Sequence, residues 1–241
     1  MISSSAPKGV VSTAGSKVLE VIVKSREEAV EAELYGADRL EVVRSLEDGG
    51  LTPEIDIVQA IAEVVSIPVR VMVRERNSMS IASREELLRL QRAARSFAAL
   101  PIDGLVLGFV NGSVVDTHSL REVLAAAPHC RVTFHRAFES LRSPCDCLHV
   151  LKQFRQIDRV LVRLDTAAGM PQISDLAQWQ KLAAPEIKFV VGLGLQRENI
   201  SRVREQADLS EVHAGRLLRE PETVWGRLSR GKFSDLKSAL G

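Results

Sequence analysis

Seven polar residues stand near the ends of short apolar runs, at positions from which the side chains of β-strands could meet. They are Glu20, Glu41, Arg74, His135, Arg163, Glu211 and His213. Glutamate and histidine side chains exchange protons near neutral pH, and arginine binds carboxylates or phosphates through two parallel hydrogen bonds. If six different strands bring these groups together, the pocket they form suits a small anionic molecule.

The segment RVTFHRAF at 131–138 shows the pattern most directly. Val132 and Phe134 alternate with polar residues, which is typical of a β-strand. The run then ends on a titratable ring, His135, and a permanent cation, Arg136. Since neither residue suits an apolar core, we interpret His135 as a candidate general base or acid at the strand end, with a hydrogen-bonded structural role as the alternative, and Arg136 as the first residue of the loop that follows.

Short β-type runs alternate with longer helical runs along most of the chain, and this alternation predicts a parallel sheet with crossover helices. The length of 241 residues lies near the roughly 250 of an eight-stranded α/β barrel. A unit of two strands and two helices also recurs weakly. We therefore predict a single-domain (β/α)8 TIM barrel of the α/β class with strands at 18–23, 39–43, 69–74, 104–109, 131–136, 159–164, 188–193 and 210–215.

The two ends of the chain differ from this pattern. Residues 1–16 are small and rich in serine, and we expect them to form a disordered extension before a barrel domain at 17–241. The last segment, 219–241, carries apolar residues at helical spacing, which predicts one final helix or two helical turns. These residues are Trp225, Leu228, Phe233, Leu236 and Leu240.

Several helix starts can be recognised from capping signals. Ser25 with Glu28 and Ser83 with Glu86 have the spacing of capping boxes, in which each side chain bonds a backbone N–H of the other. Thr52-Pro53 and Ser143-Pro144 place an N-cap residue before a proline that fits the first helical position. Gly36 is expected to end the first helix.

Composition excludes several classes of protein. The formal charge is +1 without a long basic block, so nucleic-acid binding has no support. We find no apolar run near the ~18 residues that a membrane helix needs, and no apolar core of a signal peptide at the N-terminus. Three cysteines in a chain of this length indicate a reducing cytoplasm rather than a disulfide framework.

In a (β/α)8 barrel, ligands bind at the mouth where the strands end, and the loops after the last two strands often hold phosphate. Gly192 and Gly194 follow the seventh strand and Gly215 follows the eighth, so these glycines are candidate phosphate contacts through their backbone N–H groups. Alternatively, they only relieve crowding at the strand ends. Glu20, Glu41 and Arg163 have a structural alternative too, as partners in buried ion pairs. Arg163 would point outward toward a helix if the strand register differed by one residue.

Cys145 and Cys147, with His149 nearby, are the soft donors of the chain and would favour Cu(I) or Zn(II). Their spacing does not make a closed metal site, because two side chains in one helical turn point in different directions. A position at a helix start would lower the pKa of these thiols. Cys130 enters the fifth strand from the opposite end of the barrel.

Five segments, in this order, resemble the CutC family, whose members are described as copper homeostasis proteins. They are LEVIVKSREEAVEAELYGADRLEVV, EDGGLTPE, IPVRVMVRER, VTFHRAFE and EVHAGR, and they span residues 19–216. The resemblance implies a cytoplasmic (β/α)8 barrel that forms homodimers or larger homo-oligomers. It also implies pocket positions at Glu20, Glu41, Arg74, Arg76, His135, Arg136 and His213.

This chain departs from the family pattern at the positions usually invoked for copper. The family cysteines of the first and second strands correspond to Ile22 and Val43, and the usual Arg-Pro-Arg after the third strand is Arg74-Glu75-Arg76. Copper binding through those cysteines is therefore not available here. The remaining polar mouth resembles a site for an anionic organic ligand more than one for a soft metal.

Three hypotheses follow. The resemblance implies a CutC-like protein associated with copper homeostasis. A second hypothesis is a cofactor-independent isomerase or lyase acting on a small phosphorylated or carboxylated metabolite. In it Glu20, Glu41, His135 and His213 supply the acid and base, while Arg74, Arg76, Arg136 and the glycine loops hold the anion. The third is a binding protein or scaffold that keeps the barrel without its chemistry.

Overall fold

The computed structural model describes residues 17–164, 172–192, 200, 203, 205, 207 and 209–241. Eight parallel strands form a closed barrel in which each strand pairs with its neighbour in sequence and the eighth pairs with the first. The strands are β1 Val18–Val23, β2 Arg39–Val42, β3 Val69–Met72, β4 Gly104–Leu107, β5 Arg131–Phe134, β6 Ile157–Arg163, β7 Lys188–Gly192 and β8 Glu211–Ala214. The predicted (β/α)8 barrel is confirmed, and each strand lies within two residues of its predicted bounds.

Helices cover the outside of the barrel and bury its apolar outer face in one continuous core. In the described part of the chain they are α1 Arg26–Tyr35, α2 Ile55–Ala62, α3 Arg84–Ala98, α4 Thr117–Ala126, α5 Pro144–Leu151, α6 Ile173–Ala183 and α7 Arg230–Leu240. None of the described helices combines the length and the apolar character needed to cross a membrane. The expected extension at 1–16 lies outside the described residues.

The capping predictions for α1 and α3 are half right. Ser25 and Ser83 accept hydrogen bonds from the backbone N–H of Glu28 and Glu86, as expected. Each glutamate, however, reaches one residue further back than a capping box requires. Glu28 accepts from the N–H of Lys24, and Glu86 accepts from the N–H of Ala82.

The prediction of a helix start at Thr52-Pro53 is wrong, because α2 begins at Ile55. The Thr52 hydroxyl instead donates to the backbone carbonyl of Arg74 and accepts from its N–H, at 2.9 and 2.8 Å. This hydrogen-bonded pair fastens the loop after β2 to the end of β3. Ser143-Pro144 does start α5, and Gly36 ends α1 with a φ of 99°.

The C-terminal segment is helical only in its second half. Residues 219–228 form a short antiparallel hairpin, and α7 then buries Phe233, Leu236 and Leu240. Trp225 lies in the hairpin with 71% of its surface exposed, so its predicted place on the helical face is wrong. Arg219 anchors the hairpin, since its fully buried guanidinium bonds both carboxylate oxygens of Glu28 at 2.8 and 2.9 Å.

Candidate functional site

A cavity of about 260 Å³ opens where the strands of the barrel end. Strand ends and the loops that follow them supply its wall, so residues far apart in sequence meet there. The lining residues are Ile22, Glu41, Val43, Leu46, Gly49, Gly50, Met72, Arg74, Asn77, Met79, His135, Arg136, Leu161, His213, Gly215, Arg216 and Val224. This is the end of the barrel at which the sequence places its candidate groups.

Buried ion pairs fill the barrel beneath the cavity. Arg39 binds Glu20 at 2.5 Å and Glu211 at 2.6 Å, and Arg159 binds Glu211 at 2.6 Å. Nearer the other end, Arg70 binds Asp158 with both terminal nitrogens at 2.8 Å. Because these charges are paired and hydrogen-bonded, the cost of burying them is largely offset. Glu211 therefore belongs to the floor of the barrel, and Glu20 shares in the ion pair that the sequence leaves open for it.

Glu20 and His213 form a second buried pair directly above that floor. The Nδ1 atom of His213 lies 2.8 Å from Glu20 Oε1. Burial alone would raise the pKa of Glu20, but Arg39 and His213 hold it far below its usual range. Burial alone would lower the pKa of His213, whereas the nearby carboxyls of Glu41 and Glu20 raise it above its usual value. The Glu20 carboxylate bonded to Nδ1 thus favours the protonated form of His213.

Glu41 differs from these carboxyls because its Oε2 atom has no hydrogen-bond partner among the described residues. Only 2% of Glu41 is exposed, and Oε2 lies 3.7 Å from His213 Nδ1. Burial raises the pKa of Glu41 to about 7, with His213 opposing the rise and Glu20 adding to it. A carboxyl with a pKa near neutrality both accepts and releases a proton in the physiological range, which general acid–base catalysis requires.

His135 is held as a neutral hydrogen-bond donor. Its ring is 3% exposed, and its Nδ1 atom accepts from the N–H of Ala137 at 3.2 Å. The ring proton must therefore be on Nε2, an atom that has no partner in the described part of the structure. Burial, with Arg74 and Arg136 nearby, lowers the pKa of His135 to about 3. The geometry thus favours hydrogen-bond donation from Nε2 over the general base or acid role that the sequence suggested.

Gly108 holds this ring in place, and nothing in the sequence pattern pointed to it. A Cβ atom at Gly108 would lie 2.7 Å from His135 Nδ1 and 3.1 Å from the Cβ of Ala137. Such contacts are too short for ordinary packing, so glycine lets the backbone after β4 pass against the imidazole. The Nδ1 edge of the ring is packed against protein, while His135 still lines the cavity.

The predicted anion-binding arginines have different surroundings. Arg74 donates to the backbone carbonyls of Gly49 and Gly50 at 2.9 and 3.2 Å and to Asn77 Oδ1 at 2.6 Å, so it shapes the cavity wall. Arg76 lies outside the lining, 46% exposed and paired with Glu86 at 3.1 Å.

Two other arginines do line the cavity at its rim. Arg136 is 37% exposed and binds Glu139 at 3.1 Å, and Arg216 is exposed. Sequence reasoning named Arg136 and missed Arg216, although Arg216 directly follows the candidate Gly215. The Arg136 guanidinium is held by the Glu139 carboxylate through Nε and Nη2, whereas Arg216 is exposed, so Arg216 is the freer of the two to turn toward a bound anion.

The remaining candidates from the sequence are three glycines and Arg163. Gly215 lines the cavity, whereas Gly192 and Arg163 are not among its lining residues. Gly192 instead packs behind His213, because a Cβ atom there would lie 3.4 Å from His213 Cδ2. Gly194 lies outside the described residues.

Copper through thiolates does not fit this cavity. Cys130, Cys145 and Cys147 are all absent from the lining, while Ile22 and Val43, at the family cysteine positions, belong to it. The expected low pKa at the helix start is wrong for Cys147, since burial raises the pKa of this thiol. The thiols that Cu(I) prefers are therefore elsewhere in the described structure, and the soft donors among the lining residues are the thioethers of Met72 and Met79.

One set of harder donors could hold a different metal ion. Single donor atoms of Glu20, Glu41 and His213 lie within 4.8 Å of one another, and two carboxylates with an imidazole suit Zn²⁺ or Mn²⁺. Arg39 already neutralises Glu20 at 2.5 Å. A divalent ion would have to share that carboxylate with a guanidinium, so the arrangement suits protons better than a metal ion.

Comparisons with known proteins agree with this architecture. A profile of the CutC family matches residues 17–217. Over 211 residues the chain is 31% identical to a family protein CutC of Mesorhizobium japonicum, a match that covers 86% of this chain and 80% of that protein. It is 33% identical over 211 residues to the copper homeostasis protein cutC homolog of Homo sapiens, a match that covers 86% of this chain and 76% of that protein.

Solved structures share the fold at lower identity. A Streptococcus agalactiae structure named as copper homeostasis protein CutC superposes with a TM-score of 0.75 at 22% identity, covering 83% of this chain and 98% of that one. Phosphoribosylanthranilate isomerase from Thermotoga maritima superposes with a TM-score of 0.59 at 12% identity, covering 93% and 98%. At these identities the likeness extends to the barrel alone.

Proposed function

This chain belongs to the CutC family, and we propose that its barrel mouth is the active site of a cofactor-independent isomerase or lyase acting on a small carboxylated or phosphorylated metabolite. One observation carries the proposal. A single cavity contains a buried carboxyl without a hydrogen-bond partner, Glu41, and a buried neutral imidazole with a free Nε2–H, His135, as far as the described residues show. A carboxylate base and a neutral imidazole donor together are a known solution for moving a proton next to a carbonyl group.

The proposed step is proton abstraction from the carbon next to the substrate carbonyl. The C–H bond breaks, the proton moves to a carboxylate oxygen of Glu41, and the electron pair forms the carbon–carbon double bond of an enolate. Negative charge develops on the carbonyl oxygen, where the Nε2–H of His135 donates a hydrogen bond. In an isomerase acting on a 2-hydroxy carbonyl compound, Glu41 returns the proton to the former carbonyl carbon, the hydroxyl proton passes to the former carbonyl oxygen, and the adjacent oxygen becomes the new carbonyl. In a lyase, the enolate restores its C=O bond and forms a double bond to the next carbon, from which a leaving group departs with its bonding electron pair.

The surrounding residues support these roles. His213 lies 3.7 Å from Glu41 Oε2 and is itself bonded to Glu20, and the positive charge of its protonated form limits the rise in the pKa of Glu41 that burial causes. Arg136 and Arg216 at the rim supply positive charge for a carboxylate or phosphate. Glu20 acts through His213, as a positioning residue.

The names of relatives refer to copper homeostasis, and for this chain we propose that any such role does not use a thiolate Cu(I) site at the mouth. Ile22 and Val43 support this, because they replace sulfur with hydrocarbon inside the cavity. Cu(I) titration under reducing conditions tests it. Tight binding that Cys145→Ser and Cys147→Ser both abolish would instead establish a copper site on α5.

A cytoplasmic location and a homodimer or larger homo-oligomer, both implied by the family resemblance, are part of the same proposal. Light scattering on the purified chain tests the assembly.

Hydrogen–deuterium exchange tests the proposed chemistry directly. The chain is incubated in D₂O with 2-oxobutyrate or dihydroxyacetone phosphate, and loss of the proton signal next to the carbonyl is followed by NMR. We expect exchange with the wild type, a loss of at least a hundredfold in Glu41→Gln, and no loss in Glu47→Gln, an exposed control. A chelator should leave the rate unchanged. Equal exchange in Glu41→Gln and wild type, or no binding of any anion in thermal-shift assays, would refute the proposal.

A further inference from the structure

A small hydrophobic cluster lies against the cavity and is separate from the main core. It consists of Val43, Met72 and Val106, with Ile22 and Leu46 packed on them. All but Val106 also line the cavity. We call the four lining residues Ile22, Val43, Leu46 and Met72 the apolar wall.

Close packing supports the apolar wall from its sides. A Cβ atom at Gly50 would lie 3.1 Å from Met72 Cε and 3.2 Å from Val43 Cγ1, and one at Gly215 would lie 2.9 Å from Ile22 Cδ1. Glycines at both positions therefore let the loops after β2 and β8 approach the wall without covering it. The wall is a supported surface that faces the cavity.

The chemistry of this surface limits what can lie on it. Hydroxyl groups of a sugar would lose water there without gaining hydrogen bonds from Ile22, Val43 or Met72, which is unfavourable. Hydrocarbon gains from the same burial. The polar groups of the cavity, His135 and Glu41, are suited to a carbonyl and its neighbouring carbon, so the apolar part of the ligand must extend from that end.

We propose that the apolar wall binds the hydrocarbon body of an amphipathic anion, and that the substrates are 2-oxo acids with a short aliphatic side chain rather than polyhydroxylated sugar phosphates. This inference rests on the proposed function, because it assigns a substrate class to the same cavity. Ile22 and Leu46 are the half-buried members of the apolar wall, while Val43, with 1% of it exposed, lines the cavity and joins the wall to the cluster beneath. The small volume, about 260 Å³, restricts the ligand to short side chains.

Calorimetric titration with the series pyruvate, 2-oxobutyrate, 2-oxopentanoate and 2-oxohexanoate tests the inference, with erythrose 4-phosphate as the polyhydroxylated probe. We expect the Kd to tighten about fourfold for each added methylene, the ratio that burial of one such group gives. Val43→Thr keeps the shape of the side chain and should flatten this dependence. Val114→Thr, the same change at a position that is 57% exposed and outside the lining, should leave it unchanged.

The possible failures are distinguishable. Erythrose 4-phosphate binding more tightly than 2-oxohexanoate, or a Kd independent of chain length, would overturn the apolar-wall inference while deuterium exchange continued to support the proposed function. Absence of binding by every anion would overturn both. If Val43→Thr does not fold, as judged by circular dichroism, Ile22→Thr at a half-buried position replaces it. An unchanged chain-length dependence in a folded variant counts against the inference.

Discussion

Lowering the pH from about 7.5 to about 5 should destabilise this protein through His135, and replacing His135 with asparagine should remove that sensitivity. Burial, with Arg74 and Arg136 nearby, lowers the pKa of His135 from 6.5 to about 3 in the folded protein. Between these two values the unfolded chain binds a proton that the folded protein does not bind. The free energy of unfolding therefore falls as the pH falls below 6.5, and the fall stops near the folded pKa.

The size of the effect follows from the interval between pH 6.5 and the pH of measurement. One pKa unit corresponds to about 1.36 kcal/mol, so 1.5 units below the unfolded pKa give a loss of about 2 kcal/mol at pH 5. This figure requires only that the folded pKa lie well below 5. It is a large part of the 5–15 kcal/mol, roughly, by which domains are stable.

Urea denaturation at the two pH values measures the effect. In His135→Asn the amide oxygen can still accept the N–H of Ala137, so the local cap is kept while the titrating group is lost. We expect the wild type to lose about 2 kcal/mol more than His135→Asn between the two conditions. His129→Asn, at an exposed position, is the matched control and should behave like the wild type. An equal loss in wild type and His135→Asn would refute the assignment of a neutral buried imidazole.

Three further predictions concern residues around the site. Arg219→Met should lower the free energy of unfolding by about 3–5 kcal/mol in urea denaturation, because it leaves the Glu28 carboxylate without its bidentate partner; Arg227→Met, at an exposed position, should change it little. Gly108→Ala should cost about 1–3 kcal/mol by the same assay, since its Cβ would meet His135 Nδ1 at 2.7 Å, whereas Gly231→Ala in α7 meets only Ser229 Oγ at 3.9 Å and should not destabilise. The double substitution Ile22→Cys and Val43→Cys, made in a Cys145→Ser, Cys147→Ser background, should create Cu(I) binding under reducing conditions that the background variant lacks. Both new thiols would face the cavity beside Met72. No gain of Cu(I) binding would show that these two positions do not suffice.

The sequence predicted the barrel and its mouth because both depend on local patterns. Strands such as Arg131–Phe134 end at the residue before a candidate group, and the carboxyl ends of parallel strands all meet at one end of the barrel. The roles of the candidates were harder to predict, because they depend on partners from other strands. Arg74 looked like an anion ligand, yet the carbonyls of Gly49 and Gly50 that occupy it come from a distant loop.

The cavity also contains features that the sequence of a single strand does not indicate. Gly108 contacts His135 only because β4 and β5 are neighbours in the barrel. The spacing of residues within either strand does not predict that contact. The apolar wall likewise combines residues from β1, from β3 and from the segment that follows β2. In the sequence, each of these residues looks like an ordinary hydrophobic residue of a strand or its end. Such features depend on strand register across the barrel, which the sequence does not supply.

The two-residue period of the strands explains why Glu41 is the carboxyl left without a hydrogen-bond partner. Arg39 and Glu41 are two residues apart on β2, and Glu211 and His213 are two residues apart on β8. On each strand the first of the two side chains therefore lies on the floor of the barrel and the second lies nearer the mouth. On the floor, Arg39 binds Glu20 through Nε and Glu211 through Nη2. One layer higher, the ring nitrogen of His213 that faces Glu41 is already bonded to Glu20. Glu41 thus lies just above a layer of satisfied charges, where burial raises its pKa and the cavity gives a ligand access to its proton.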